Sequence, residues 1–145
     1  MEISFLVESE ELEISLERYL KFVCEINEKF YYGRFGDPTS ILRNKEMLDA
    51  DLWIIEAFNP GDVTNPEGFR TAKKFAEKKK VLLFFISVPQ NFPEEGSFWM
   101  KLPSKILISE KVNKVLSNPL PKLRDFENLE SLWPILKNEP FHHHR

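Results

Sequence analysis

The chain contains five short apolar stretches rich in β-forming residues, each bounded by charged residues or by turn residues such as Pro and Gly. They comprise residues 3–7, 30–32, the run that follows Asp51, 81–86 and 97–101. Between them, apolar residues recur at intervals of three and four, as they do along one side of an amphipathic helix. Strands that alternate with helices in this way predict βαβ units and a parallel sheet.

Helical spacing predicts a helix after most of these strands and one more near the end of the chain. The predicted helices cover residues 9–23, 38–48, 66–76 and 106–118, with a short one built on Phe126, Leu129, Leu132 and Trp133. Two of them begin with a capping residue followed by proline, at Asp37-Pro38 and Asn65-Pro66, a combination typical of helix starts. Ser9 is a plausible cap for the first helix.

The run after Asp51 is the central feature of this pattern. It is continuously apolar up to a single carboxylate at Glu56 and breaks at Asn59-Pro60-Gly61. A continuous apolar run predicts a strand buried on both faces of the sheet. Glu56 is then expected near the carboxyl end of a central strand, the edge where open parallel sheets bind ligands and carry out chemistry.

Composition narrows the class of protein. A chain of 145 residues with 42% hydrophobic and 30% charged residues is typical of one soluble globular domain. Its net charge of −3 gives no broad basic surface for nucleic acid. No apolar run approaches the roughly 20 residues of a membrane span, and the first residues do not resemble a signal peptide. With the lone Cys24 favouring a reducing compartment, a cytoplasmic location is expected.

Residues 3–117 resemble the receiver domains of bacterial two-component response regulators. The most specific part is Asp51-Leu52 together with Glu56, Asn59-Pro60-Gly61 and Asp62, which is similar to the family's phosphoacceptor strand and turn. The resemblance implies a flavodoxin-like, three-layer α/β sandwich with a five-stranded parallel sheet of order 2-1-3-4-5. It assigns residues 1–118 to the receiver-like domain and 119–145 to a C-terminal tail with a short helix.

The resemblance also assigns site residues. The family's phosphoacceptor aspartate falls at Glu56, and its metal-binding acidic pair falls at Glu8 and Ser9. The hydroxyl residue that closes its fourth strand falls at Ser87. The lysine that closes its fifth strand falls at Lys101, and the switch aromatic falls near Phe98.

Two of these positions depart from the family's pattern in ways that predict little or no phosphorylation. The extra methylene of Glu56 moves its carboxylate by about 1.5 Å, and a misplacement of that size can cost about 100-fold in rate. Ser9 replaces a carboxylate by a neutral hydroxyl, which weakens any Mg²⁺ site. No cofactor and no metal site are expected, although weak Mg²⁺ binding at Glu8 and Glu56 stays open.

The segment before the fifth strand is also unusual. Only thirteen residues separate Ser87 from Lys101, which predicts that the family's fourth helix is short or missing. In addition, Leu102 separates Lys101 from Pro103, whereas the family has lysine directly before proline. Phe98 and Trp99 are expected in the core or as surface anchors, with an exposed aromatic contact patch as the alternative.

The leading hypothesis is a non-enzymatic, receiver-like signalling module that binds a protein partner without aspartate phosphorylation. Residues 119–145 are too few for a DNA-binding effector domain, and neither a nucleic-acid nor a membrane partner is expected. The resemblance to receiver domains makes a homodimer through the face near the fifth strand and the last helix plausible. Glu56 either pairs with Lys101 and mimics the phosphorylated state, or is a vestige. The alternatives are a small enzyme of the nucleoside-processing type that uses Glu56, a working phospho-receiver and a flavin or dinucleotide binder. Four acidic or polar residues at 8–11 disfavour the last of these.

Overall fold

The structure of the protein is a computed structural model. The residues it describes are 2–7, 10–23, 29–33, 49–58, 65–86, 88, 91–102 and 108–133. The predicted helix over 38–48, together with Glu8, Ser9 and Ser87, lies outside the described residues.

The described residues contain a five-stranded sheet in which every neighbouring pair of strands is parallel. The strands are β1 (Glu2–Leu6), β2 (Lys29–Gly33), β3 (Leu52–Glu56), β4 (Lys80–Phe85) and β5 (Trp99–Lys101). Their order across the sheet is β2-β1-β3-β4-β5. This flavodoxin-like arrangement confirms the predicted sheet, its order and the central position of the Glu56 strand.

Four α-helices lie within the described part of the chain. They are α1 (Glu10–Arg18), which continues into a π-helical turn (Tyr19–Val23), α2 (Glu67–Phe75), α3 (Ile108–Ser117) and α4 (Leu123–Ser131). The start of α2 differs slightly from the prediction, in which Asn65 is the capping residue and Pro66 the first residue of the helix. In the structure Pro66 is the N-cap residue, and no side chain caps this end. The predicted short helix in residues 119–145 is confirmed as α4.

One face of the sheet is covered by α1 and α3, and its buried residues are mainly aliphatic. They are Ile3, Phe5, Val7, Leu16, Leu20, Leu52, Ile54, Leu82, Phe84, Met100, Ile108, Val112 and Val115. Within β3, Leu52 and Ile54 belong to this set, because alternate side chains of a strand point to the same side of the sheet. We call this side the α1/α3 face.

The opposite side, the α2/α4 face, is covered by α2 and α4 and is strongly aromatic. Its buried aromatic residues are Trp53, Phe58, Phe69, Phe85, Phe92, Phe98, Trp99, Phe126 and Trp133. The rings meet at centroid distances between 4.5 and 6.0 Å, in stacked, tilted and edge-on arrangements. These distances are within the range in which aromatic pairs attract each other.

The connection between β4 and β5 explains why α4 is needed on this face. Its described residues, 86, 88 and 91–98, form turns, bends and a single bridge between Glu95 and Met100, with no helix among them. A helix at this point in the chain would cover the aromatic rings of β4 and β5. In this protein α4 supplies that cover, with Phe126, Leu129 and Trp133 buried in the aromatic cluster.

Asp51 lies at the end of the sheet opposite to Glu56, where it joins the starts of β1 and β3 by hydrogen bonds. Its carboxylate accepts a hydrogen bond from the backbone N–H of Glu2 at 2.8 Å, and its own N–H donates to the Glu2 carbonyl at 3.0 Å. These bonds align the first residues of β1 and β3. None of the helices in the described ranges is long and apolar enough to cross a membrane.

Candidate functional site at the carboxyl edge of the sheet

Glu56 is the last residue of the central strand and is almost completely buried, with 3% of its surface exposed. It lies in register with Phe84 of β4, which in turn is in register with Met100 of β5. Phe84 and Met100 belong to the α1/α3 face, and strand alternation places the Glu56 side chain on that face too. Burying a carboxylate is costly unless it is hydrogen-bonded or paired, so the position is chemically unusual.

The backbone at Glu56 is held by the first turn of α2. The N–H of Phe69 donates to the carbonyl of Ala57 at 2.9 Å, and the N–H of Ala57 donates to the carbonyl of Phe84 at 2.9 Å. Gly68 allows this close approach, because a Cβ atom at this position would lie 1.6 Å from the Glu56 carbonyl oxygen. Sequence reasoning missed Gly68, although a glycine in the first turn of a predicted helix is the usual sign of a close contact.

Lys101 ends β5 but does not share a face with Glu56. Met100 faces α1 and α3 while Trp99 faces α2 and α4, and alternation therefore places Lys101 on the α2/α4 face. Its ammonium donates to the Phe92 carbonyl at 3.1 Å and lies 3.6 Å from a carboxylate oxygen of Glu94. The contacts that hold Lys101 thus come from the β4–β5 connection.

Leu102 accounts for this orientation. It stands directly before Pro103, where the family has its lysine, and its side chain packs on the α1/α3 face, the face of Glu56. A shift of one residue along a strand moves a side chain to the other side of the sheet. Lys101 is one residue earlier than the lysine of the family's pattern, and the structure places it on the side away from Glu56.

Phe98 and Trp99 are both buried, so the alternative of an exposed aromatic contact patch is wrong. The Phe98 ring lies 4.6 Å from the ring of Phe126 in α4, and the Trp99 ring lies 5.1 Å from that of Phe92. Phe98 is therefore a contact between β5 and the C-terminal helix. The expected core role of these residues is confirmed.

The outer edge of β5 is occupied by the chain itself. Glu95 forms an antiparallel bridge with Met100, the N–H of Gly96 donates to the Trp99 carbonyl, and the N–H of Lys101 donates to the Glu94 carbonyl, the latter two bonds at 2.9 Å. Edge strands whose polar backbone groups are satisfied are protected from pairing with another chain. A homodimer formed by direct pairing of β5 edges would have to displace this segment.

Lys111 of α3 holds the same segment through an ion pair in which the lysine is buried and the glutamate is partly exposed. Its ammonium lies 3.0 Å from Glu95 and also donates to the Gly96 carbonyl, and only 1% of the residue's surface is exposed. The Lys111 ammonium, with the more distant Lys114, lowers the pKa of Glu95 below its ordinary value. Sequence reasoning missed Lys111, whose position between Ile108 and Val112 on a predicted apolar stripe was the available signal.

Three of the six predicted site residues are thus placed by the structure, and it separates them. Glu56 is on the α1/α3 face, while Phe98 and Lys101 are on the α2/α4 side or its rim. Glu8, Ser9 and Ser87 lie outside the described residues, so the acidic pair and the hydroxyl remain predictions. Among the described residues, no three His, Cys, Asp or Glu side chains come together as a metal site would require.

The described part of this edge contains one buried carboxylate, that of Glu56. It is held at the end of β3, and the first turn of α2 packs closely against the backbone beside it. A positioned carboxylate can hold a proton, a cation or a hydrogen-bond donor. In comparisons with known proteins, the chain matches no protein-family model and none of the curated proteins.

Proposed function

We propose that this protein is a receiver-like signalling module of the cytoplasm that acts by binding a protein partner, without enzymatic activity and without aspartate phosphorylation. The observation that carries the proposal is the position of Glu56. It is buried at the carboxyl end of the central strand of a parallel sheet of order 2-1-3-4-5, where the receiver family has its phosphoacceptor. Fold alone does not specify function, whereas the position of Glu56 and its surroundings are particular to this chain.

The surroundings of Glu56 support the loss of phosphorylation. Phosphoryl transfer depends on positioning and on neutralising charge around the transferred group. Lys101 is oriented to the other face of the sheet and is held by Phe92 and Glu94, so it is badly placed to neutralise charge at Glu56. For the same reason the proposal does not include an ion pair between Glu56 and Lys101 that mimics phosphorylation.

The side of the protein near β5 also supports a different mode of output. In the receiver family the face around the fourth helix and the fifth strand transmits the phosphorylation signal. Here Lys101 and Lys111 form ion pairs with the connection from β4 to β5, and α4 covers the aromatic rings of the α2/α4 face. A surface held by these ion pairs and by the aromatic cluster presents one fixed shape to a partner, which suits constitutive binding.

The test is intact-mass analysis after incubation with acetyl phosphate and Mg²⁺. Wild type, Glu56→Asp and Glu56→Gln are compared under the same conditions, with circular dichroism to show that all three are folded. We expect no phosphoryl group on the wild type or on Glu56→Gln. A phosphoryl group on wild type that Glu56→Gln abolishes would show a working switch and refute the proposal.

The Glu56→Asp variant distinguishes two reasons why the protein would not be phosphorylated, the length of the side chain at position 56 and the position of Lys101. If only side-chain length prevents phosphorylation, this variant gains one phosphoryl group. If the position of Lys101 also prevents it, as we expect, the variant stays unmodified. Partner capture provides the second readout: proteins recovered with wild type should be recovered equally after acetyl phosphate treatment and with Glu56→Gln.

A further inference from the structure

A cationic cleft lies between α2 and the start of α4, on the side of the sheet opposite Glu56. Its volume is about 250 Å³, and it is open to solvent along one side. The residues that line it are Arg70, Lys73, Lys74, Glu77, Pro121, Lys122, Leu123 and Phe126. The cleft exists only because α4 packs beside α2 and brings Lys122 and Leu123 next to a helix that is about fifty residues away along the chain.

The charge of this cleft is opposite to that of the whole chain. Four cationic side chains and one carboxylate line it, whereas the chain carries a net charge of −3. Three of the cations belong to α2 at spacings of three and four residues, which places them along one side of the helix. Like charges so close together repel each other, and an anion in the cleft would relieve that repulsion.

The lysines of the cleft are available to a ligand. Within the described ranges, Lys73, Lys74 and Lys122 make no ion pair with another side chain. The nearest acid of α4, Asp125, accepts a hydrogen bond from the backbone N–H of Lys122 at 2.7 Å and so caps its own helix. Lysine ammonium groups on flexible stems bind phosphate as point charges.

The second wall of the cleft adds two further features. It is the beginning of α4, a helix of nine residues, and the positive end of a helix dipole adds to the attraction for an anion. Leu123 is 60% exposed at the mouth of the cleft, and the buried Phe126 forms part of its floor. A ligand with charged groups beside the lysines can therefore place a carbon skeleton against Leu123.

We propose that this cleft binds a small molecule that carries more than one phosphate group. Its size argues for a small ligand, because pockets for larger organic molecules occupy about 300–1,000 Å³. Three lysines in one cleft argue for more than one phosphate. The site is on the other side of the sheet from Glu56, so the inference does not depend on the receiver-like function, and either can fail without the other.

Inorganic pyrophosphate is the probe, titrated into the full chain by isothermal calorimetry in about 0.15 M salt, where charges more than about 8 Å apart are screened. The test variant is the double substitution Lys73→Gln/Lys74→Gln. The matched control is Lys78→Gln/Lys79→Gln, which removes the same charge just beyond the end of α2 but outside the cleft. None of these four lysines is buried, so we expect the substitutions to leave the fold intact, and thermal unfolding of both variants verifies it.

We expect one pyrophosphate to bind per chain. Its Kd should rise at least about tenfold in the cleft variant and less than about threefold in the control, because each charge-assisted contact to phosphate contributes about fivefold or more to the affinity. Lys122→Gln alone should weaken binding about fivefold. Equal weakening of both double variants, several ions per chain, or no binding would refute the proposal. A single-stranded oligonucleotide that binds more tightly than pyrophosphate, with a steep dependence on salt, would also refute it and identify a nucleic-acid surface instead.

Discussion

The two faces of the sheet are built on different principles. On the α1/α3 face, mainly aliphatic side chains from the strands meet aliphatic side chains from two helices that both precede residue 118. On the α2/α4 face, nine buried aromatic residues form one cluster. Besides the strands, it is supplied by the residues just after β3, by α2, by the β4–β5 connection, and by α4 with the residues that follow it. The first face could form from local βαβ units, whereas the second requires the C-terminal helix to return to the sheet.

This difference shows how a parallel α/β sheet can have a closed core without a helix in the described part of the β4–β5 connection. Large flat rings extend further from the sheet than branched aliphatic side chains do, so they can reach a helix that approaches from a different direction. Phe92, in the β4–β5 connection, contacts the rings of Phe85, Trp99 and Trp133 and so joins the strands to the end of α4. The packing of α4 on the α2/α4 face holds the surface near β5 in one shape, and this is the surface that we propose binds a partner.

The strongest test of the comparison is Trp133→Ala, which removes the ring that joins α4 to Phe58, Phe85 and Phe92. The residue is 2% exposed. We expect a loss of about 3–5 kcal/mol in the free energy of unfolding, measured by chemical denaturation, because a large cavity remains in the aromatic cluster.

The control for this test is Leu132→Ala, the preceding residue, whose side chain is exposed. It should change the free energy of unfolding by no more than about 0.5 kcal/mol. If both variants lost the same small amount, α4 would be a loosely attached tail and the α2/α4 face would not be a second core.

Gly68→Ala tests the junction between α2 and the end of β3. The added Cβ would lie 1.6 Å from the Glu56 carbonyl oxygen, so the backbone must shift. We expect about 1–3 kcal/mol of destabilisation from overpacking, despite the better helix propensity of alanine. Lys74→Ala, exposed on the same helix, should be nearly neutral; equal stability of Gly68→Ala and wild type would contradict the close approach.

The smallest effect concerns the pH dependence of the β4–β5 connection. The pKa of Glu95 is lowered by Lys111, so this contact stabilises the folded state fully above the ordinary glutamate pKa of 4.5. That contribution is lost as the pH falls through the lower pKa of the folded state. Wild type should therefore exceed Glu95→Gln in stability at about pH 7, and the difference should shrink towards about pH 3.

Glu94→Gln is the matched control for the pH experiment. Glu94 is adjacent in sequence and mostly exposed, at 3.6 Å from Lys101. Its substitution should leave the stability profile against pH close to that of wild type. A pH dependence that is the same in Glu95→Gln and wild type would show that the Glu95–Lys111 contact does not hold the connection.

The parts of the fold that depend on local pattern were predictable. Alternation of apolar runs with helical spacing located each of the five strands of the described residues, and Phe126, Leu129 and Trp133 marked a helix in residues 119–145. The position of Glu56 at the carboxyl end of β3 followed from the run that precedes it. These features depend on contacts between residues close in sequence, and periodicity records such contacts directly.

By itself, then, the sequence pattern determined the strands and helices of the described residues and the central place of Glu56, while the order of the strands was implied by the resemblance to receiver domains. Only the tertiary structure decided that Lys101 and Glu56 lie on opposite faces, that Lys111 is buried, that α4 covers the aromatic rings, and that Lys73 and Lys122 share a cleft. The physical reason is that each of these depends on long-range packing. A shift of one residue within a strand changes which side chains meet, and it leaves little trace in the local sequence pattern. The same is true of a helix that comes from the end of the chain and packs against the sheet.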